Sequence, residues 1–200
     1  MILLVDNTKH NQCDLSSIKN MRKCLKTLQI DYIETNKIDH TLLHKYQDKI
    51  KGIIISGSSM VISQPHLFET YSHIFFYLSK LPNLPVLGIC FGSQILSLVH
   101  GLSVVNQGKY IRENIPVRTS NDPLFTNMQQ DFVPYFYFSD LIVGKSPKHV
   151  KEIAWFNYNN KKTPCAFDFG NKKYGALFHP EHDENTYIVI YNFAKIICKL

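Results

Sequence analysis

The sequence predicts an α/β fold built on a mostly parallel central sheet. In the first half of the chain, short apolar runs alternate with segments of helical periodicity about ten to fifteen residues long, the pattern of right-handed β–α–β crossovers. The run "GIIIS" at 52–56 is continuously β-branched, as expected of a strand buried on both faces. A chain of 200 residues that is 44% apolar suits a single domain over 1–200 with a core of ordinary size.

Taken in order, "ILLV" at 2–5 reads as a buried strand ending at Asp6 and Asn7. From Ser16 to Gln29, residues Ile18, Met21, Leu25 and Leu28 fall on one helical face. "DYIE" at 31–34 is a second strand and "GIIIS" a third. A helix follows over 65–82, with Leu67, Tyr71, Ile74 and Leu78 in phase and Pro82 closing it. "PVLGI" at 85–89 is again a strand, and "GSQILSLVHG" is a helix stopping at Gly101. From Leu102 to about Leu177 the pattern changes to short aromatic strands such as "FVPYFYF" and "CAFDF", broken by Asn, Asp, Pro and Lys. "KYGALFHPEH" then leads into a last helix with Ile190, Phe193, Ala194 and Ile197 on one face.

Composition narrows the function classes. No apolar run approaches the roughly eighteen residues of a membrane span. The opening "MILLVDNTKH" lacks a basic flank and a small-residue cleavage site, so it reads as a strand and not a leader. The five cysteines, Cys13, Cys24, Cys90, Cys165 and Cys198, are odd in number, widely spaced and free of CxxC pairs. That pattern suits a reducing cytoplasm and argues against a disulfide framework or a zinc site. A net charge of +6 raises the question of nucleic acid, but the lysines are scattered and gather on no helix face or RNA-binding motif, so a solvated surface is expected.

Chemistry concentrates at "VLGICFGSQ", residues 86–94. A strand, then G-x-C-x-G, then a helix is the layout of a nucleophile elbow. The turn is sharp, so the positions flanking the nucleophile must be small. It lifts the Cys90 thiol above the sheet, at the positive N-terminal end of the next helix, where an anion is favoured. It also aims the Phe91 N–H at an oxygen on the attacked carbon, half of an oxyanion hole. A nucleophile needs a base and the base an orienter. "GALFHPE" supplies both: His179 ends an apolar strand, and Glu181 lies two residues on, across Pro180.

"GICFGSQ" and "FHPE" together resemble the two signatures of the class I (triad) glutamine amidotransferases, and the rest of the chain is similar to the glutaminase part of GMP synthase. "ILLVDN" resembles the opening strand, "IIISGSS" the loop supplying the second oxyanion amide, "RENIPV" the strand after the elbow helix, and "DPLFTNM" the following turn. "FSD" at 138–140 stands where that family has a histidine–glycine–aspartate loop. The resemblance implies a flavodoxin-like fold with helices on both faces of the sheet, and hydrolysis of the glutamine side-chain amide. In that reading Cys90 is the nucleophile, His179 the acid and base, and Glu181 the orienter. The oxyanion amides belong to Phe91 and to Gly57–Ser58, while Gln94, Ser139 and Asp140 hold the substrate. No cofactor or metal is implied. Ammonia passes to a synthase, which is expected as a separate chain because no pyrophosphatase sequence or P-loop occurs here.

The match departs from the family in several places, among them a tolerable Ser93 after Gly92, and three bear on function. Ser58 replaces a glycine; if that position takes positive φ, Ser58 is strained there. Phe138 replaces the substrate-loop histidine, and Leu177 the glutamine usual before "FHPE". These departures support a second reading, an amidotransferase fold kept for binding without turnover; a γ-glutamyl hydrolase using the same triad is a third. An α/β-hydrolase would place its acid before the histidine, whereas Glu181 follows it. His40 and His44 in "HTLLH" lack the glutamate of a zincin, and the His179, His182 and Asp183 group is better explained by the triad. "FVPYFYF" reads as core and not as a base-stacking platform.

Overall fold

The computed structural model describes residues 1–8, 16–46, 48–63 and 67–200; Cys13 and the side chain of Leu67 lie outside the described set. Strand β1 (Ile2–Val5) is followed by helix α1 (Ser16–Thr27), β2 (Tyr32–Thr35), α2 (His40–Tyr46) and β3 (Gly52–Ile55). Helices α3 (Leu67–Thr70) and α4 (Ser72–Lys80) lead to β4 (Val86–Ile89) and α5 (Phe91–Val99). The expected helix over 65–82 is thus two helices that meet at Tyr71, whose ring is fully buried edge-on against Phe91 at 4.8 Å. Helix α5 ends where predicted, with Gly101 at φ +85°, a left-handed position that glycine adopts without steric penalty.

The second half contributes β5 (Ser103–Asn114), β6 (Val117–Thr119), β7 (Asp131–Phe132), β8 (Tyr135–Val143), β9 (Lys151–Tyr158), β10 (Lys161–Asp168) and β11 (Lys173–Ala176). Several of these strands are longer than the short aromatic strands the sequence suggests. Pro164 sits inside β10 at a register irregularity, the setting in which a strand tolerates a residue without an N–H. The chain closes with α6 (Tyr187–Asn192), which runs on as a π-helical stretch, Phe193–Ile197.

Strand order in the large sheet is β2-β1-β3-β4-β11-β10-β9-β6-β7, and β5 pairs with β8 in a separate ribbon. The neighbours from β2 to β11 are parallel, and the remainder are antiparallel. Every residue of β1, β3, β4 and β11 is buried, so both faces of the parallel part are covered, as crossover helices require. Helix α1 contributes Ile18, Met21, Cys24 and Leu25 to that cover; Leu28, expected on the same face, is only partly buried.

Strand order decides where chemistry can occur. β3, β4 and β11 are neighbours and run the same way, so the segments leaving their carboxyl ends emerge side by side. Those segments begin with Ser56-Gly57, Cys90 and Leu177-Phe178-His179. Open α/β sheets bind ligands at that end of the strands.

Candidate active site

Cys90 stands between β4 and α5 with φ 49° and ψ −105°, a conformation rarely taken by a residue with a side chain and costing about 1–3 kcal/mol. The flanking glycines make the turn feasible. A Cβ on Gly88 would collide with the Gly92 backbone, and one on Gly92 would strike the Ile55 carbonyl. The elbow read from "GICFG" is therefore present, and its glycines are required by close backbone packing. Cys90 is 2% exposed and its N–H donates to the Ala176 carbonyl at 2.7 Å, which ties the elbow to β11. The Phe91 N–H, at the first position of α5, donates to no backbone carbonyl among the described residues, as the start of a helix leaves it free to do.

His179 follows β11, and its own N–H donates to the Tyr135 carbonyl at 2.8 Å. Nδ1 lies 2.7 Å from Glu181 Oε1, with both side chains buried. Burial by itself works to deprotonate His179. The charges of Glu181 and Cys90, and the hydrogen bond to Glu181, outweigh it and hold the imidazole pKa well above its usual value. Cys90 acts on His179 without the alignment of a full hydrogen bond, because Nε2 has no well-aligned partner among the described residues. A Cβ on Gly57 would come to 2.8 Å from the His179 ring and 3.5 Å from Cys90 Cβ. Gly57, Cys90 and His179 thus share one small volume.

Ser58 corrects the sequence expectation. Neither Gly57 nor Ser58 is among the residues with positive φ, so the loop Gly57-Ser58-Ser59 needs no left-handed glycine and Ser58 carries no such strain. A second correction concerns Phe138-Ser139-Asp140, which lies within β8 and not in a loop. Phe138 packs on Phe136 and Phe156 in the core, whereas Tyr135 and Tyr137, alternating with them, are only half-buried and line the site. The aromatic run is therefore core on one face of β8, as expected, and site wall on the other.

Gln94, Ser139 and Asp140 line a narrow cavity of about 10 Å³ beside Cys90, with Ser58, Tyr110 and Tyr137. The polar ends of two of them are already engaged. Gln94 Nε2 donates to the Asp140 carbonyl at 2.7 Å. The buried Asp140 carboxylate accepts from Asn106 Nδ2 at 2.8 Å and from Ser63 N at 3.1 Å. Both residues fix β8 against α5 and the 57–63 loop. A larger cavity, about 60 Å³, opens beside His179 and is lined by Ser17, Asn20, Ser58, Tyr137, His179 and Glu181.

Two contacts have no signature in the sequence. The Cys90 thiol donates to the Tyr137 carbonyl at 3.2 Å, and Ser17 Oγ donates to Glu181 Oε1 at 2.8 Å. Each joins residues far apart in the chain through positions that carry no motif. The other histidine groupings are occupied differently. His182 stacks on Tyr135 at 4.0 Å, and His40 meets Tyr77 edge-on at 5.8 Å. Leu177 is fully buried core. Cys24, Cys165 and Cys198 are free and buried, and burial raises the pKa of each, that of Cys198 to about 12; their thiols are chemically quiet.

Fold and site together define an α/β protein whose reactive groups gather at the carboxyl ends of adjacent parallel strands around an elbow cysteine. The chain belongs to the glutamine amidotransferase class-I family, whose model matches residues 6–196. It is 30% identical over 158 residues to a subunit of the glutamine-hydrolyzing GMP synthase of Methanococcus aeolicus, covering 74% of each chain. To the longer glutamine-hydrolyzing GMP synthase of Francisella philomiragia it is 31% identical over 155 residues, covering 74% of this chain and 28% of that protein. Among solved structures, a Thermoplasma acidophilum protein described as a GMP synthase subunit shares the fold. Its TM-score is 0.80 at 24% identity, over 99% of this chain and 93% of that one. The flavodoxin-like amidotransferase fold expected from the sequence is the fold observed.

Proposed function

We propose that the protein hydrolyses the side-chain amide of glutamine through Cys90, His179 and Glu181, and delivers ammonia to a separate synthase of the GMP synthase kind. The observation that carries this reading is the shared volume of Gly57, Cys90 and His179, with Glu181 bonded to His179 at 2.7 Å. In the reacting state the Cys90 proton rests on His179 Nε2 while Cys90 Sγ attacks the carboxamide carbon, and the N–H groups of Phe91 and of Gly57–Ser58 receive the oxyanion. The imidazolium then protonates the departing nitrogen, the C–N bond breaks, and a glutamyl thioester and ammonia remain. Neutral His179 next accepts a proton from water, hydroxide adds to the thioester, and glutamate leaves as the proton returns to sulfur. The high proton affinity of His179, sustained by Glu181, suits the acid step. No cofactor is needed, and the reaction belongs in the cytoplasm.

A partner dependence is part of this reading. The cavity at Cys90, about 10 Å³, falls far below the roughly 300–1,000 Å³ of ordinary small-molecule sites. The Tyr137 carbonyl also occupies the thiol. A low basal rate that rises when the synthase binds is therefore expected. Equal turnover with and without that partner would count against the partner dependence.

The test is alkylation by a diazo-ketone analogue of glutamine, read by intact mass, with Cys90→Ala as control. The expected result is one adduct on the wild type, absent from the variant and blocked by excess glutamine. A folded wild-type protein that takes no adduct, even with the synthase present, refutes glutamine hydrolysis at this site and leaves a binding scaffold.

A further inference from the structure

Glu181 is 1% exposed, and a buried carboxylate is held by whatever bonds to it. Its two oxygens are treated unequally. Oε1 accepts from His179 Nδ1 at 2.7 Å and from Ser17 Oγ at 2.8 Å, whereas Oε2 has no hydrogen-bond partner among the described residues. Among those residues, Ser17 is thus the one side chain besides His179 itself that fixes the carboxylate.

Ser17 is well placed to do so. It is the second residue of α1, whose face of Ile18, Met21, Cys24 and Leu25 is fully buried. The backbone carrying the hydroxyl is therefore anchored in the core, while Ser17 itself is half-buried at the rim of the larger cavity. Its Oγ would lie 3.1 Å from a Cβ on Gly57, the same hypothetical atom that would come to 2.8 Å from His179. The hydroxyl, the imidazole and the oxyanion loop are packed against one another. A serine in the first turn of a helix often bonds its own backbone; this one bonds a carboxylate 164 positions away.

We infer that Ser17 is a positioning residue of the active site, holding the Glu181 carboxylate so that Oε1 fixes the tautomer and orientation of His179 and leaves Nε2 to Cys90. Ser17 touches neither substrate nor the reacting atoms in this role. The effect on turnover rests on the glutaminase reading, but the effect on His179 does not.

The experiment therefore has two arms, both on the full chain. In the first, the His179 imidazole is titrated by nitrogen-15 NMR in the wild type, Ser17→Ala and Ser17→Thr. Loosening Glu181 should lower the His179 midpoint in Ser17→Ala, and Ser17→Thr, which keeps the hydroxyl, should restore it. In the second, glutamine hydrolysis is followed against pH. Loss of a hydrogen bond to a charged group predicts a fall in kcat of roughly ten- to a hundredfold, with KM changed by less than about threefold and with recovery in Ser17→Thr. In a Glu181→Gln background, Ser17→Ala should add little, because the two act as a unit.

An unchanged His179 titration in folded Ser17→Ala overturns the proposal, whatever happens to turnover. So does a loss of kcat that multiplies fully with that of Glu181→Gln. A wild type that hydrolyses no glutamine with its partner present, yet shows the titration shift, refutes the glutaminase reading and leaves the positioning role standing.

Discussion

Gln94 Nε2 donates to the Asp140 carbonyl at 2.7 Å, a bond that crosses from the first turn of α5 to the middle of β8. The residue expected to hold substrate thus holds the strand whose Tyr137 carbonyl meets the Cys90 thiol. Gln94→Glu would set a carboxylate against that carbonyl and leave a buried acceptor without a donor. Destabilisation of about 1–3 kcal/mol is expected in urea denaturation, with a larger loss of kcat/KM than the stability change alone implies. A Gln94→Glu protein of wild-type stability and activity would show that the bond is incidental.

Two glycines beside the elbow should fail in different ways. Gly92→Ala drives a methyl group into the Ile55 carbonyl, a backbone atom of the central sheet that cannot yield, so the melting temperature should fall, by the equivalent of at least about 1–3 kcal/mol. Gly57→Ala presses on the His179 ring at 2.8 Å and on Ser17 Oγ at 3.1 Å, both side-chain atoms able to shift. Here activity should fall far more than stability. Thermal melts beside glutamine turnover separate the two cases.

Ser58→Gly tests the proposed oxyanion loop. Because Ser58 does not take positive φ, restoring the family's glycine relieves no strain. It only widens the unfolded ensemble, and stability should drop by about 0.5–1 kcal/mol. A gain in stability would mean that the loop is strained after all.

The His179 pair predicts how stability depends on pH. Its folded pKa is raised well above the usual 6.5, so the folded state keeps a proton that the unfolded chain has released. The resulting stabilisation is fully present below about pH 6.5 and is lost as pH climbs through the folded value. His179→Asn removes it. The stability difference between wild type and His179→Asn, from urea denaturation at several pH values, should therefore shrink as pH rises from about 6.5. A difference that grows with pH would reverse the sign argued here.

Much of this protein is legible locally. The β-branched run at 52–56, the helical phase of Ile18, Met21 and Leu25, and the glycines around Cys90 each state a backbone preference within a few residues. The structure has a strand, a helix and a strained elbow at those places. The His179–Glu181 pair is equally local, two positions apart. These features could be read because periodicity and allowed φ/ψ are set by neighbours in the chain.

Strand order and side-chain partners across the fold are another matter. Nothing in the spacing of "FSD" shows that it lies inside β8, or that Gln94 gives its amide N–H to Asp140. Ser58 is strained only if its position takes the positive φ of a glycine, and in the folded loop after β3 it does not. The Ser17–Glu181 bond spans 164 positions and exists because α1 packs where β11 ends. The sequence by itself determined most of the elements and singled out Cys90 and His179 as the candidate nucleophile and base. Tertiary packing decided which groups steady them, because those contacts depend on the closure of long loops and not on any local backbone preference.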